Sequence, residues 1–264
     1  MMYRDVTARG ENMIKIAVAN QKGGVGKTTT AINIADALTR CGYSVLFVDM
    51  DPQCNSTSSY QAEIDGVYTI YDLMNAECSI EDTIQGTDMG DIIAGDPHLP
   101  EDESKFLSKI GGFNILKNAL LGVENEYDYV IMDTPPNLGI FMVNALVAAT
   151  GVIMPLRAEK YAIDGLAKLM ETITDVRKNG NPDLEIYGVL MTAYDVRNSL
   201  DKEIWGILPE TGEKYGFSVF KTPVRICQAV KEAQAENVSL FDRSPSCNAA
   251  IDYANVVKEL LEQA

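Results

Sequence analysis

The chain has 264 residues, of which 38 are acidic and 22 basic, for a net charge of −16. It is long enough for one sizeable core, it has no apolar run of the ~18 residues a membrane span needs, and no N-terminal apolar segment suggests secretion. Its five cysteines (Cys41, Cys54, Cys78, Cys227, Cys247) are scattered without a C-x-x-C pair, which suits reduced thiols in a cytoplasmic protein and implies no metal site.

Met1 to Asn12 is polar and is read as a disordered leader, with Met13 a candidate start and 13–264 a single domain. Ile14 to Asn20 then reads as a buried strand, and Thr30 to Leu38 has helical periodicity. Between them lies Lys22-Gly23-Gly24-Val25-Gly26-Lys27-Thr28-Thr29. Strand, glycine-rich turn and helix form the setting of a phosphate-binding loop. Glycines let successive backbone N–H groups curl round an anion, and the helix N-terminus adds partial positive charge. Lys27 is expected to reach the β- and γ-phosphates and the Thr28 hydroxyl to ligate Mg²⁺, so the chain reads as nucleotide-binding.

Two further strand patterns, Ser44 to Val48 and Tyr129 to Met132, end in carboxylates: Asp49-Met50-Asp51-Pro52-Gln53 and Asp133-Thr134-Pro135-Pro136. Carboxyl ends of parallel strands face the crevice where an open α/β sheet binds its ligand. Asp133 is therefore expected to hold Mg²⁺, directly or through water; strand-end capping is the plainer alternative for each aspartate. Strand patterns continue at 91–94, 151–155, 186–192 and 217–220, with helical patterns at 113–123, 162–179, 225–235 and 248–262. The alternation predicts an α/β fold, a single domain with a mostly parallel twisted sheet and helices on both faces.

The loop departs from G-x-x-x-x-G-K-[ST]: Gln21 replaces the first glycine and an extra lysine, Lys22, follows it. The run K-G-G-x-G-K-T-T resembles the deviant Walker A motif of the ParA/MinD family of ATPases, within the SIMIBI branch of P-loop NTPases. D-x-D-P-Q is similar to the family's switch I, and Asn144-Ala145-Leu146, Pro155 and Gly165-Leu166 match later landmarks. The resemblance implies ATP and Mg²⁺ as cofactors, and a homodimer in which Lys22 reaches the partner's nucleotide. It also implies that Asp51 holds the attacking water, Asp49 supports the metal shell and Thr29 lies near the α-phosphate. Pro135-Pro136 would sense the γ-phosphate, and the region of Thr192 and Pro223 would contact adenine. A partition role for plasmid, chromosome or mobile element, with a ParB-like activating partner, follows from the same resemblance. Iron–sulfur relatives are excluded because no cysteine lies between Cys78 and Cys227.

Charge is uneven: from Tyr60 to Glu126 there are fourteen carboxylates against three lysines, whereas Asp195 to Pro245 is nearly balanced. Arg197, Lys202, Lys221, Arg225 and Lys231 are thus candidates for non-specific DNA binding, with ordinary solvated helix faces as the alternative. The last helix has a polar face more acidic than basic, so no membrane anchor is expected. A nucleotide-gated regulator that binds only proteins, through the acidic surface, is the competing reading. A metabolic synthetase of the same loop class ranks third.

Overall fold

The structure is a computed structural model and describes residues 13–263; the expected leader at 1–12 lies outside them. A seven-stranded sheet runs β3-β4-β2-β5-β1-β6-β7. Its strands are β1 (Ile14–Val18), β2 (Val45–Asp49), β3 (Ile84–Thr87), β4 (Gly90–Ile93), β5 (Tyr129–Asp133), β6 (Gly151–Arg157) and β7 (Glu185–Thr192). All pairings are parallel except β3 with β4, an antiparallel hairpin at one edge. The sheet is thus mostly parallel, as the alternation of strand and helix patterns predicts.

Strands buried on both faces should be apolar at consecutive positions, and 16–18 of β1, 45–48 of β2 and 129–132 of β5 are. Successive side chains alternate between the faces. Ala17, Val48, Met132 and Met154 enter one core with α3 (Ile70–Asn75), α4 (Glu103–Ser108), α5 (Ile115–Ala119), α6 (Ile140–Ala148), α7 (Ala162–Asn179) and α8 (Ser199–Tyr215). Val18, Phe47, Ile131 and Ile153 enter the other. There the cover is α1 (Lys27–Arg40), α2 (Asn55–Tyr60), α9 (Gln228–Glu236), α10 (Leu240–Arg243) and α11 (Asn248–Gln263). Each fully buried aliphatic or Phe side chain contributes about 1.5–3 kcal/mol.

Three sequence expectations are corrected. The 217–220 strand reduces to one bridge, Val189 with Val219. Its pairing is Ser218 O accepting from Val189 N–H and Phe220 N–H donating to Val189 O. The 113–123 helix is only Ile115–Ala119, tightened at each end into 3₁₀ turns. The 225–235 helix begins at Gln228 because 224–226 continue along β7, with Ile226 N–H donating to Tyr194 O. Helix α8 carries Pro209, Gly206 and Gly212 within it and had no helical signature.

Candidate nucleotide site

β1 stands inside the sheet between β5 and β6, and the glycine-rich loop leaves its carboxyl end. Gly24 and Gly26 have φ of +74° and +89°, left-handed values open to glycine at little cost. Gly26 caps α1, whose first turn carries no acidic side chain, so its amide dipoles face the loop uncompensated. Asn20 fastens the loop's base by donating to Pro155 O at 2.6 Å and accepting from Lys22 N–H at 2.9 Å. Lys27 is 7% exposed, and its Nζ donates to Lys22 O at 3.2 Å. Burial lowers its pKa, against the pull of Asp133 and Asp51. Lys22 is half-buried, and its ammonium pairs with Glu159 on the loop after β6 rather than turning towards Lys27.

Asp49 and Asp133 sit side by side in register at the ends of β2 and β5, both fully buried. Asp49 is saturated by the protein: Oδ2 accepts from the Thr57 amide and hydroxyl, and Oδ1 from Asp51 N–H. Asp133 Oδ2 accepts from Ser56 Oγ at 2.8 Å, whereas its buried Oδ1 has no hydrogen-bond partner. Burial pushes Asp133 up to about 7, reinforced by the charge of Asp49 and opposed by the hydroxyls of Thr28 and Ser56. Burial likewise lifts Asp49 to about 6, while its hydrogen bonds pull the other way. Asp51 is 7% exposed, and its Oδ1 accepts from Gln53 N–H.

An unsatisfied buried carboxylate oxygen beside a threonine hydroxyl and a glycine-rich loop fits a small hard cation. Among the described residues no cluster of three His, Cys, Asp or Glu could cage a metal. That suits Mg²⁺, which takes one or two protein oxygens and completes its shell with phosphate and water.

Beside the loop lies a cavity of about 270 Å³ whose walls include Gly24, Thr29, Arg157, Thr192, Val224 and Cys227. Thr192, expected near adenine, is one of these wall residues. Pro223 does not line the cavity, whose wall begins one residue later at Val224. Arg225 and Lys231, two of the candidate DNA-binding residues, line the same cavity. Arg225 also makes a bidentate pair with the buried Asp252 of α11. Arg197 is exposed but paired with Asp195. Lys221 has its amide held by Glu259, and Lys202 is exposed near the start of α8.

Sequence reasoning missed Ser56, Thr57, Glu159 and Gln234; the last donates to Thr29 Oγ1 at 2.8 Å. The polar run after Pro52 is a faint signal for Ser56 and Thr57. Glu159 and Gln234 arrive from distant elements and had none.

Residues 13–186 match the model of a family described as an AAA domain. The chain is 36% identical over 248 residues to the sporulation initiation inhibitor protein Soj of Bacillus subtilis, covering 93% of this chain and 97% of that protein. It is 37% identical over 254 residues to the chromosome partitioning protein ParA of Caulobacter vibrioides, covering 94% of each. It also superposes on the cobyrinic acid a,c-diamide synthase of Mycobacterium smegmatis, solved with a bound ATP analog and magnesium. The TM-score is 0.83 at 32% identity, covering 95% of each chain.

Proposed function

Because this chain belongs to the ParA/Soj family of P-loop ATPases, we propose that it hydrolyses ATP as a homodimer and uses the cycle to position or segregate DNA. The observation that carries this reading is the division of labour between the two loop lysines. Lys27 is buried near the aspartates, whereas Lys22 stands partly exposed with its ammonium paired to Glu159.

Lys27 and the loop amides would bind the β- and γ-phosphates, and Thr29 would lie near the α-phosphate. Thr28 and Asp133 would hold Mg²⁺, with Asp49 fixing the shell through Thr57 and the Asp51 amide. The bound Mg²⁺ would supply neutralisation of charge on the phosphates. Asp51 would hold the attacking water in line, and the Pro135-Pro136 loop would respond to the γ-phosphate. Lys22 from the second protomer would complete the electrostatic clamp, so that hydrolysis waits on dimerisation. A ParB-like partner would accelerate release.

Non-specific DNA binding by the ATP dimer is the step to test. We expect binding to random duplex DNA with ATP but not ADP, stronger in Asp51→Ala and falling steeply with salt. ATP-driven dimerisation with no DNA binding in any state would overturn it. That outcome would favour the nucleotide-gated protein regulator, a reading supported by the pairing of Arg197 and Arg225 with Asp195 and Asp252.

A further inference from the structure

Ser56 and Thr57 stand side by side in the first turn of α2, at 0% and 3% exposure, and each serves a different strand. Thr57 holds Asp49 at the end of β2, and Ser56 holds Asp133 at the end of β5. Consecutive Cα atoms lie about 3.8 Å apart and neighbouring strands about 4.8 Å apart, so two adjacent side chains can span two adjacent strand ends. The turn after β2 brings them there. Cys54 N–H donates to Asp51 O at 2.9 Å, and Cys54 leads into α2 at a left-handed φ of +51°.

The two carboxylates are served unequally. Asp49 receives three donors, and the Thr57 hydroxyl among them accepts in turn from Gly95 N–H at 2.7 Å, which fixes its direction. Among the described residues, Asp133 has the Ser56 hydroxyl on Oδ2 and no hydrogen-bond partner on its buried Oδ1. A bare buried carboxylate oxygen costs free energy that a second donor would recover. Closing Asp49 completely and Asp133 by half therefore leaves one oxygen, Oδ1, for a cation.

We propose that Ser56 sets the site's preference for magnesium: by holding Oδ2 it fixes the rotation of Asp133 and presents Oδ1 alone to the cation. The proposal rests on reading the site as one for ATP and Mg²⁺. Magnesium demands near-octahedral geometry and takes few protein oxygens, whereas calcium takes roughly six to eight oxygens and tolerates a carboxylate bound through both of its own. A carboxylate turned by Ser56, beside one closed off by Thr57, suits the smaller ion. Without the Ser56 hydroxyl, Asp133 is free to swing and to offer both oxygens, which penalises magnesium more than calcium. Ser56 is thus a positioning residue that acts through Asp133.

The test titrates the full chain with a fluorescent ATP analogue, first in chelator and then at rising Mg²⁺ or Ca²⁺, in wild type, Ser56→Ala and Ser58→Ala. In Ser56→Ala the Mg²⁺ concentration that gives half of the metal-dependent gain in affinity should rise about tenfold or more. The Ca²⁺ concentration should rise by less, and affinity in chelator should stay as in wild type. Ser58→Ala, at an exposed position of the same helix, should leave all three unchanged. Ser56→Cys, near serine's size with a weaker donor, should fall between, and it carries the test if the alanine variant does not fold. An unchanged Mg²⁺ requirement, an equal loss for both cations, or a loss already complete in chelator overturns the proposal. Wild type that binds the analogue no tighter with Mg²⁺ overturns the ATP–magnesium reading and the proposal with it, and the wild-type titration alone identifies that case.

Discussion

Asp133 and Asp49 set the pH behaviour of the protein. Burial lifts them to about 7 and about 6, above the 3.8 of an unconstrained aspartate. The folded chain therefore binds these protons more tightly than the unfolded chain. Their contribution to stability is complete below pH 3.8 and is lost as the pH rises through 6 to 7. Thermal unfolding of nucleotide-free protein in a chelator should show a higher Tm at pH 5.5 than at pH 8. Asp133→Asn should flatten this slope and stabilise the pH 8 protein by about 1–3 kcal/mol. It should also abolish the extra stabilisation that ATP gains from Mg²⁺. An unchanged slope would mean that the site's electrostatics are misread. Both carboxylates were legible as strand-end residues. Their hydroxyl partners Ser56 and Thr57 were not, because hydrogen bonding between segments leaves no periodic trace in a sequence.

At the scale of elements, close approach decides what each segment tolerates. A Cβ on Gly95 would sit 2.9 Å from Asp49 Cγ and 3.2 Å from Thr57 Oγ1. Gly95→Ala should therefore disturb the Asp49 cluster from outside the nucleotide loop, lowering ATP turnover about tenfold or more, as steady-state phosphate release would show. Wild-type turnover would remove Asp49 from the mechanism. The Arg225 pair ties the segment before α9 to α11, and its loss strands a buried carboxylate. Arg225→Ala should cost about 2–3 kcal/mol in urea unfolding, against under about 0.5 kcal/mol for Arg197→Ala on its exposed loop. Equal effects would mean that the Asp252 pair is no structural tie. Helix α8 escaped sequence reading because Gly206, Pro209 and Gly212 are local breakers. Packing overrides them: Ile204 and Leu208 are buried, and a Cβ on Gly212 would lie 2.4 Å from Phe217 O.

For the whole molecule, the prediction concerns the second copy. Each active site would need Asp51 from its own chain and Lys22 from the other. Lys22→Ala and Asp51→Ala should each be inactive alone. An equimolar mixture should recover about a quarter of wild-type ATPase activity, since half the random dimers hold one complete site. No recovery would place Lys22 in its own site. Among the described residues no helix is long and apolar enough to cross a membrane. The strongly negative net charge predicts weak, salt-sensitive DNA binding if the exposed lysines are its only source.

The strand, glycine-rich turn and helix, the strand-end places of Asp49 and Asp133 and the layered α/β fold were legible in the sequence alone. Each rests on neighbours in the chain, where spacing dictates strand, turn or helix and thus which groups face the crevice. Tertiary structure decided the rest. It set Lys22 beside Glu159, turned Arg225 onto Asp252 and brought Gln234 onto Thr29. Those pairs join residues from separate elements, and only the packing of helices on the sheet sets their distances.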